Sequence, residues 1–170
     1  TQTTRYTYVI PDTTDLDSVW GAMRKNIRTD VRKAERRLVV TEDSNVDRLL
    51  AVESKMYAHQ GMALPYARET LIRLDQACAS RECRQVLVAE DQDGRAHGAI
   101  LLVRGRRAVY ALLRSGDPEF KGSGSGSLLL WEAIRFASSL QLPLDFTGAW
   151  VEPIERFVRS FGAVRVPFFE

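Results

Sequence analysis

Residues 85–114 read as three strands joined by two turns too short for anything but hairpins, and this stretch restricts the fold more than any other. Residues 85–90 are rich in apolar and β-branched side chains. They lead into Asp91, Gln92, Asp93 and Gly94, a hairpin turn in which glycine accepts a positive φ. Residues 96–104 return, Gly105 and Arg106 turn the chain again, and residues 107–114 make the third strand. Three antiparallel strands in succession form a meander, and helical periods lie on both sides of it. The expected class is mixed α/β: a mostly antiparallel central sheet with helices on both faces.

Before the meander, residues 5–10 alternate as a strand that Pro11 stops. From Asp17 onward, Trp20, Met23, Ile27, Val31, Ala34 and Leu38 keep a helical period, which predicts one long helix. Its opposite face carries Arg24, Lys25, Arg28, Arg32, Lys33, Arg36 and Arg37. A short strand at 38–41 follows, then a helix capped by Asp43, Ser44 or Asn45 and running to about Tyr57. Residues 59–66 read as a loop and 67–80 as helix. After the meander come a polar loop at 115–127, an apolar helix at 128–140, a strand at 143–147, a helix at 153–161 with Gly162 at its C′ position, and a strand at 163–169.

The whole is one domain, residues 1–170, with 45% hydrophobic and 27% charged residues, which excludes wholesale disorder. A net charge of +2 is too small to choose a partner. No apolar run approaches a membrane span and no leader precedes the domain, so a cytoplasmic protein without a membrane partner is expected. A chain that starts at Thr1 is expected to be a processed or excised piece of something longer. Cys78 and Cys83 do not form a CxxC pair and are expected to be reduced thiols. With only His59 and His97, no metal site is expected.

The chemistry concentrates in Lys121, Gly122, Ser123, Gly124, Ser125, Gly126 and Ser127. A strand enters this turn and a helix leaves it. Glycines let successive backbone N–H groups converge on an anion, and the helix start adds unsatisfied donors with partial positive charge. Lys121 contributes a cation, and the three serine hydroxyls are further donors. The composition is also that of a flexible linker. The turn lacks the GK[ST] ending of a P-loop, and an antiparallel meander before it argues against a dinucleotide fold. Its position between a strand and an apolar helix favours a phosphate or pyrophosphate cradle.

The order meander, glycine turn, helix, strand, helix, strand resembles the second half of a GCN5-related (GNAT) acyltransferase domain. Lys121 to Gly126 is similar to that superfamily's (Arg/Gln)-x-x-Gly-x-(Gly/Ala) turn, with lysine in place of Arg or Gln. Residues 26–35, Gly116-Asp117-Pro118, 125–134, 144–148, 152–157 and Phe161-Gly162 resemble the FemAB-related branch, whose members commonly hold two GNAT-like lobes. This chain looks like the C-terminal one.

The resemblance implies an N-acyltransferase acting on an amine acceptor in cell-envelope or peptidoglycan metabolism. Acyl-CoA, with acetyl-CoA the default, is the implied donor, and aminoacyl-tRNA is the alternative. The turn would hold the donor, with the backbone of Leu112, Leu113 and Arg114 on a splayed strand polarising the thioester. Tyr110, Asp145 and Glu152 are the catalytic candidates, Asp145 because a carboxylate inside a sheet is costly unless paired or facing a cleft. Tyr57, His59, Gln60, Tyr66 and Trp150 are the acceptor-side candidates. The tyrosine that many such enzymes carry on the last helix is replaced by Phe157 and Phe161. Implied partners are tRNA along the basic face from Arg24 to Arg37, and a sister lobe or a second copy of this chain. The competing expectation is a catalytically silent lobe serving binding or assembly.

Overall fold

The computed structural model describes residues 4–148 and 152–169. Seven strands form one sheet: β1 (Thr4–Ile10), β2 (Val39–Asp43), β3 (Arg84–Glu90), β4 (Ala96–Arg104), β5 (Val109–Gly116), β6 (Leu144–Asp145) and β7 (Val164–Phe169). Their order across the sheet is β2-β3-β4-β5-β6-β1-β7, antiparallel at every seam except β5 with β6. The meander stands where the alternation placed it.

Period-two alternation sorts the strand side chains between two cores. Leu87, Ile100, Leu102 and Val109 pack under α2 (Lys25–Glu35) and α5 (Ser125–Ser139), which supply Ile27, Val31, Leu129 and Ile134. Val86, Val88, Ala99 and Leu101 face the other way, toward Leu49 and Leu50 of α3 (Asp47–His59) and Leu71 of α4 (Arg68–Ala79). Most of these side chains have no exposed surface, so each buried Val, Leu or Ile contributes roughly 1.5–3 kcal/mol of hydrophobic stabilisation. The Arg84–Asp75 ion pair, 2.8 Å long and nearly buried, ties α4 to β3.

Three expectations are revised. The long helix from Asp17 is two helices, α1 (Leu16–Ala22) and α2, because Met23 and Arg24 are extended. Arg24 N–H donates to Ser160 O at 2.9 Å, which fixes the break. The Arg28 guanidinium donates to the carbonyls of Trp20 and Gly21 at the end of α1, and Arg32 lies over the Trp20 ring at 5.4 Å. Part of the basic face is therefore folded back on the protein.

Second, α5 begins at Ser125 rather than Leu128, so the last three residues of the Gly/Ser stretch are helical. Third, β6 is two residues long because it diverges from β5 almost at once. Finally, α6 (Glu152–Arg159) covers the end of β1 before the chain returns as β7.

Candidate active site

The site begins at the seam between β5 and β6. Pairing there covers only Val109↔Leu144 and Tyr110↔Asp145. Thr147 Oγ1 then donates to Ala111 O at 2.7 Å, and the strands separate. On its other side β5 slips register against β4: Leu101 pairs with Leu113 and Leu102 with Ala111, which leaves Leu112 as a bulge. Beyond Ala111, the flank of β5 facing β6 has no strand partner among the described residues. A cavity of about 670 Å³ opens there, lined by Ala111 to Arg114 and Phe146 to Gly148 of the two strands. Tyr57 and Met56 of α3 and Ile154 and Val158 of α6 complete its walls.

A second cavity, about 490 Å³, lies over the glycine turn and is lined by every residue from Lys121 to Ser127. Met56, Gln60 and Gly116 line both, so the two form one groove. Gly124 has φ +82°, and a Cβ there would stand 2.9 Å from Asp30 O of α2. That glycine seats the turn against the core. At Gly126 an added Cβ would meet only Phe157, at 3.9 Å; its missing side chain leaves room above the turn.

The N–H groups of Gly122, Gly124, Gly126 and Ser127 have no hydrogen-bond partner among the described residues. One serine hydroxyl of the turn is spent as a donor, contrary to expectation, while that of Ser123 accepts and keeps its own proton. Ser123 Oγ accepts from Ser125 N, and Ser125 Oγ donates to His97 O. The residues present fit a pyrophosphate: four free N–H groups, a helix start, a lysine and an open wall.

Two charged side chains in the larger cavity define its electrostatics. Glu53 of α3 is 3% exposed and accepts a hydrogen bond from Tyr66 Oη. Burial pushes its carboxyl above the ordinary range, with the Tyr66 bond offsetting part of that rise. Tyr66 is in turn pushed up, first by burial and then by Glu53. Arg114, half-buried on β5, stacks on the Phe157 ring at 4.8 Å, and burial pushes its guanidinium down to about 10.

Glu53 was not among the sequence candidates. The signal was present: it lies four residues after Leu49 and three after Leu50, on the buried stripe of its helix.

The structure brings some candidates together and separates others. Leu112, Leu113, Arg114, Tyr57 and Gln60 line the larger cavity, His59 and Gln60 the smaller, and Tyr66 reaches the groove through Glu53. The three catalytic candidates lie outside both linings. Asp145 Oδ1 accepts from Thr7 Oγ1 at 2.6 Å and Thr147 N at 2.8 Å, so the carboxylate braces the end of β6. Tyr110 packs over the β4–β5 turn at Gly105. Glu152 is exposed and pairs with Arg156 one helical turn on, at 2.6 Å. Trp150 lies outside the described residues. Among the described residues, no cluster of His, Cys, Asp or Glu could hold a metal, and no helix is long and apolar enough to cross a membrane.

A family model described as an acetyltransferase (GNAT) domain matches residues 21–149. Among solved structures, FemX superposes with a TM-score of 0.80 at 11% identity, covering 96% of this chain and 61% of FemX. The C-terminal domain of a putative lysylphosphatidylglycerol synthetase from Agrobacterium fabrum gives 0.71 at 15% identity, covering 99% of this chain and 60% of that one. An aminoglycoside acetyltransferase from an uncultured soil metagenomic sample, in complex with sisomicin, gives 0.56 at 14%, covering 75% and 88%. The chain thus spans about three fifths of the length of the first two. No curated protein sequence matches it.

Proposed function

The chain belongs to the GNAT acetyltransferase-domain family, and on that premise we propose that it is an N-acyltransferase lobe taking its acyl group from acyl-CoA. The observation that carries this reading is the single groove joining the glycine turn to the opened β5–β6 seam. The free N–H groups at Gly122, Gly124, Gly126 and Ser127, with Lys121, hold the pyrophosphate. The unpaired flank of β5 at Leu112, Leu113 and Arg114 presents backbone donors to the thioester oxygen, where negative charge develops. The acceptor amine enters beside Tyr57 and Gln60 of α3.

Glu53, rather than the sheet carboxylate Asp145, is the base. It is buried at the groove, its raised proton affinity suits proton uptake, and Tyr66 holds its orientation. The amine nitrogen bonds to the acyl carbon, the C–S bond breaks, and the amine proton passes to Glu53. Phe157 has no proton to give, so water protonates the departing thiolate.

Thermal-shift titration with acetyl-CoA and desulfo-CoA tests the donor. Stabilisation should grow with concentration, by about 4 kcal/mol at a thousand times Kd; a flat response at millimolar ligand would sink the reading.

One further observation supports aminoacyl-tRNA as the alternative donor. Arg24, Arg156 and Arg159 converge on a hollow of about 230 Å³ between the start of α2 and the end of α6. RNA binding through that hollow and the basic face of α2 would weaken steeply with salt. The resemblance of the sequence to the FemAB-related branch supports an acceptor from cell-envelope or peptidoglycan metabolism and a cytoplasmic reaction. The share of FemX that this single domain spans supports a sister lobe or a second copy as partner. The silent-lobe reading is not favoured, because the turn keeps its free donors and the seam stays open.

A further inference from the structure

The larger cavity holds one carboxylate and one guanidinium that do not neutralise each other. Glu53 has a single partner among the described residues, the Tyr66 hydroxyl. Arg114 has no hydrogen bond and no ion pair among the described residues; its one contact of note is the face of Phe157. Both side chains line the same cavity, and the surfaces between them are largely apolar: Met56, Leu130, Ile154 and Val158. The strongly buried charges Asp75 and Asp117 each have an opposite one at hand, in Arg84 and Lys55. A guanidinium partly withdrawn from water without a counter-ion is costly, and a binding site is where such a cost is retained. Contact with Phe157 holds the guanidinium at the ring, and its N–H donors, unpaired among the described residues, suit a planar, two-oxygen anion.

We propose that the acceptor is an amino-carboxylate, a small molecule whose amine is received at Glu53 and whose carboxylate is bound by the Arg114 side chain. The proposal rests on the acyl-transfer reading above and names the substrate class of the same site. Both groups line one cavity without being paired to each other, so one molecule carrying both signs can satisfy them together. The apolar part of the lining favours amino acids with apolar side chains. Before attack, the bound ammonium releases one proton to solvent. As the amide bond forms and the thioester C–S bond breaks, the second goes to Glu53.

The test uses the full chain loaded with desulfo-CoA and titrated with L-leucine, L-methionine and L-phenylalanine, each against its amide and its decarboxylated amine. The acid should bind about tenfold or more tighter than the amide, the scale of a charge-assisted bidentate contact. Arg114→Gln should erase that preference, and Arg114→Lys should restore part of it. Equal affinity for acid and amide, no binding of any acid, or a preference that survives in Arg114→Gln overturns the proposal. So does a parallel loss of desulfo-CoA affinity in Arg114→Gln, which would assign the guanidinium to the donor. Native chain that binds desulfo-CoA but no amino acid refutes this inference alone; chain that prefers acids yet ignores desulfo-CoA refutes the donor reading alone.

Discussion

The seam between β3 and β4 and the seam between β5 and β6 use the same sheet in opposite ways. Between β3 and β4, residue pairs run from Arg84↔Val103 to Glu90↔Ala96, and the side chains on both faces are sealed by helices. Between β5 and β6 the ladder stops at Tyr110↔Asp145, and past that pair the two strands become cavity wall. Backbone donors that are satisfied in the first seam stay available in the second. Burial and complete pairing concentrate in the first seam, and the second is where the proposed chemistry lies, a division that suits a site held on a rigid scaffold.

The sharpest way to break this comparison is at Glu53, the proposed base on the open side. Glu53→Gln should lower kcat by about 10²–10⁴-fold, because an amide still accepts the Tyr66 hydroxyl but cannot take a proton. The pH dependence supplies the sign. Folding raises the Glu53 carboxyl, so the stabilising share present below its unfolded range is lost as pH rises through the raised folded value. Native kcat/KM should rise with pH across a limb displaced above the ordinary carboxylate range, and Glu53→Gln should lack that limb while melting no lower than native at neutral pH. Unchanged kcat would remove Glu53 from the reaction.

Next in size is a pair of leucines on either side of the β4–β5 register slip. Leu101, fully buried, should lose about 2–5 kcal/mol on truncation to alanine in denaturant unfolding. Leu112, the bulge residue at 37% exposure, should lose under about 1 kcal/mol by the same measurement and weaken donor binding instead. Equal stability losses would mean the open seam is as structural as the closed one.

The smallest effect separates two glycines of one turn. Gly126→Val should weaken desulfo-CoA binding about tenfold with the melting temperature little changed, since its side chain enters open space above the turn. Gly124→Ala should instead cost about 1–3 kcal/mol of stability, because it forces a positive φ on alanine and a contact with Asp30 O. Calorimetry and melting curves on the two variants distinguish the roles.

These contrasts also separate local signals in the chain from those that only packing creates. The meander was legible because alternation and Gly94 are local signals, and the turn because glycine spacing next to an apolar helix is local too. The break between α1 and α2 was not, since the apolar period passes smoothly through Met23 and only Ser160, far along the chain, dictates it. Asp145 stands out as a carboxylate in a strand, yet Thr7, which donates to it, arrives from β1 far along the chain. Glu53 was legible from the buried stripe of its helix, whereas Arg114 looks like an ordinary strand charge until α6 brings Phe157 beside it.

The placement of β1 carries a consequence for biosynthesis. This early strand sits between β6 and β7, with Thr4 opposite Phe169. During translation the meander and its helices can assemble as they emerge, but β1 has no bed until residues 144–169 leave the ribosome. Until then the free flank of β5 is an exposed sheet edge in full. A nascent chain stalled before β6 should therefore be a chaperone client, and its β5–β6 seam forms only once residues 144–145 have emerged.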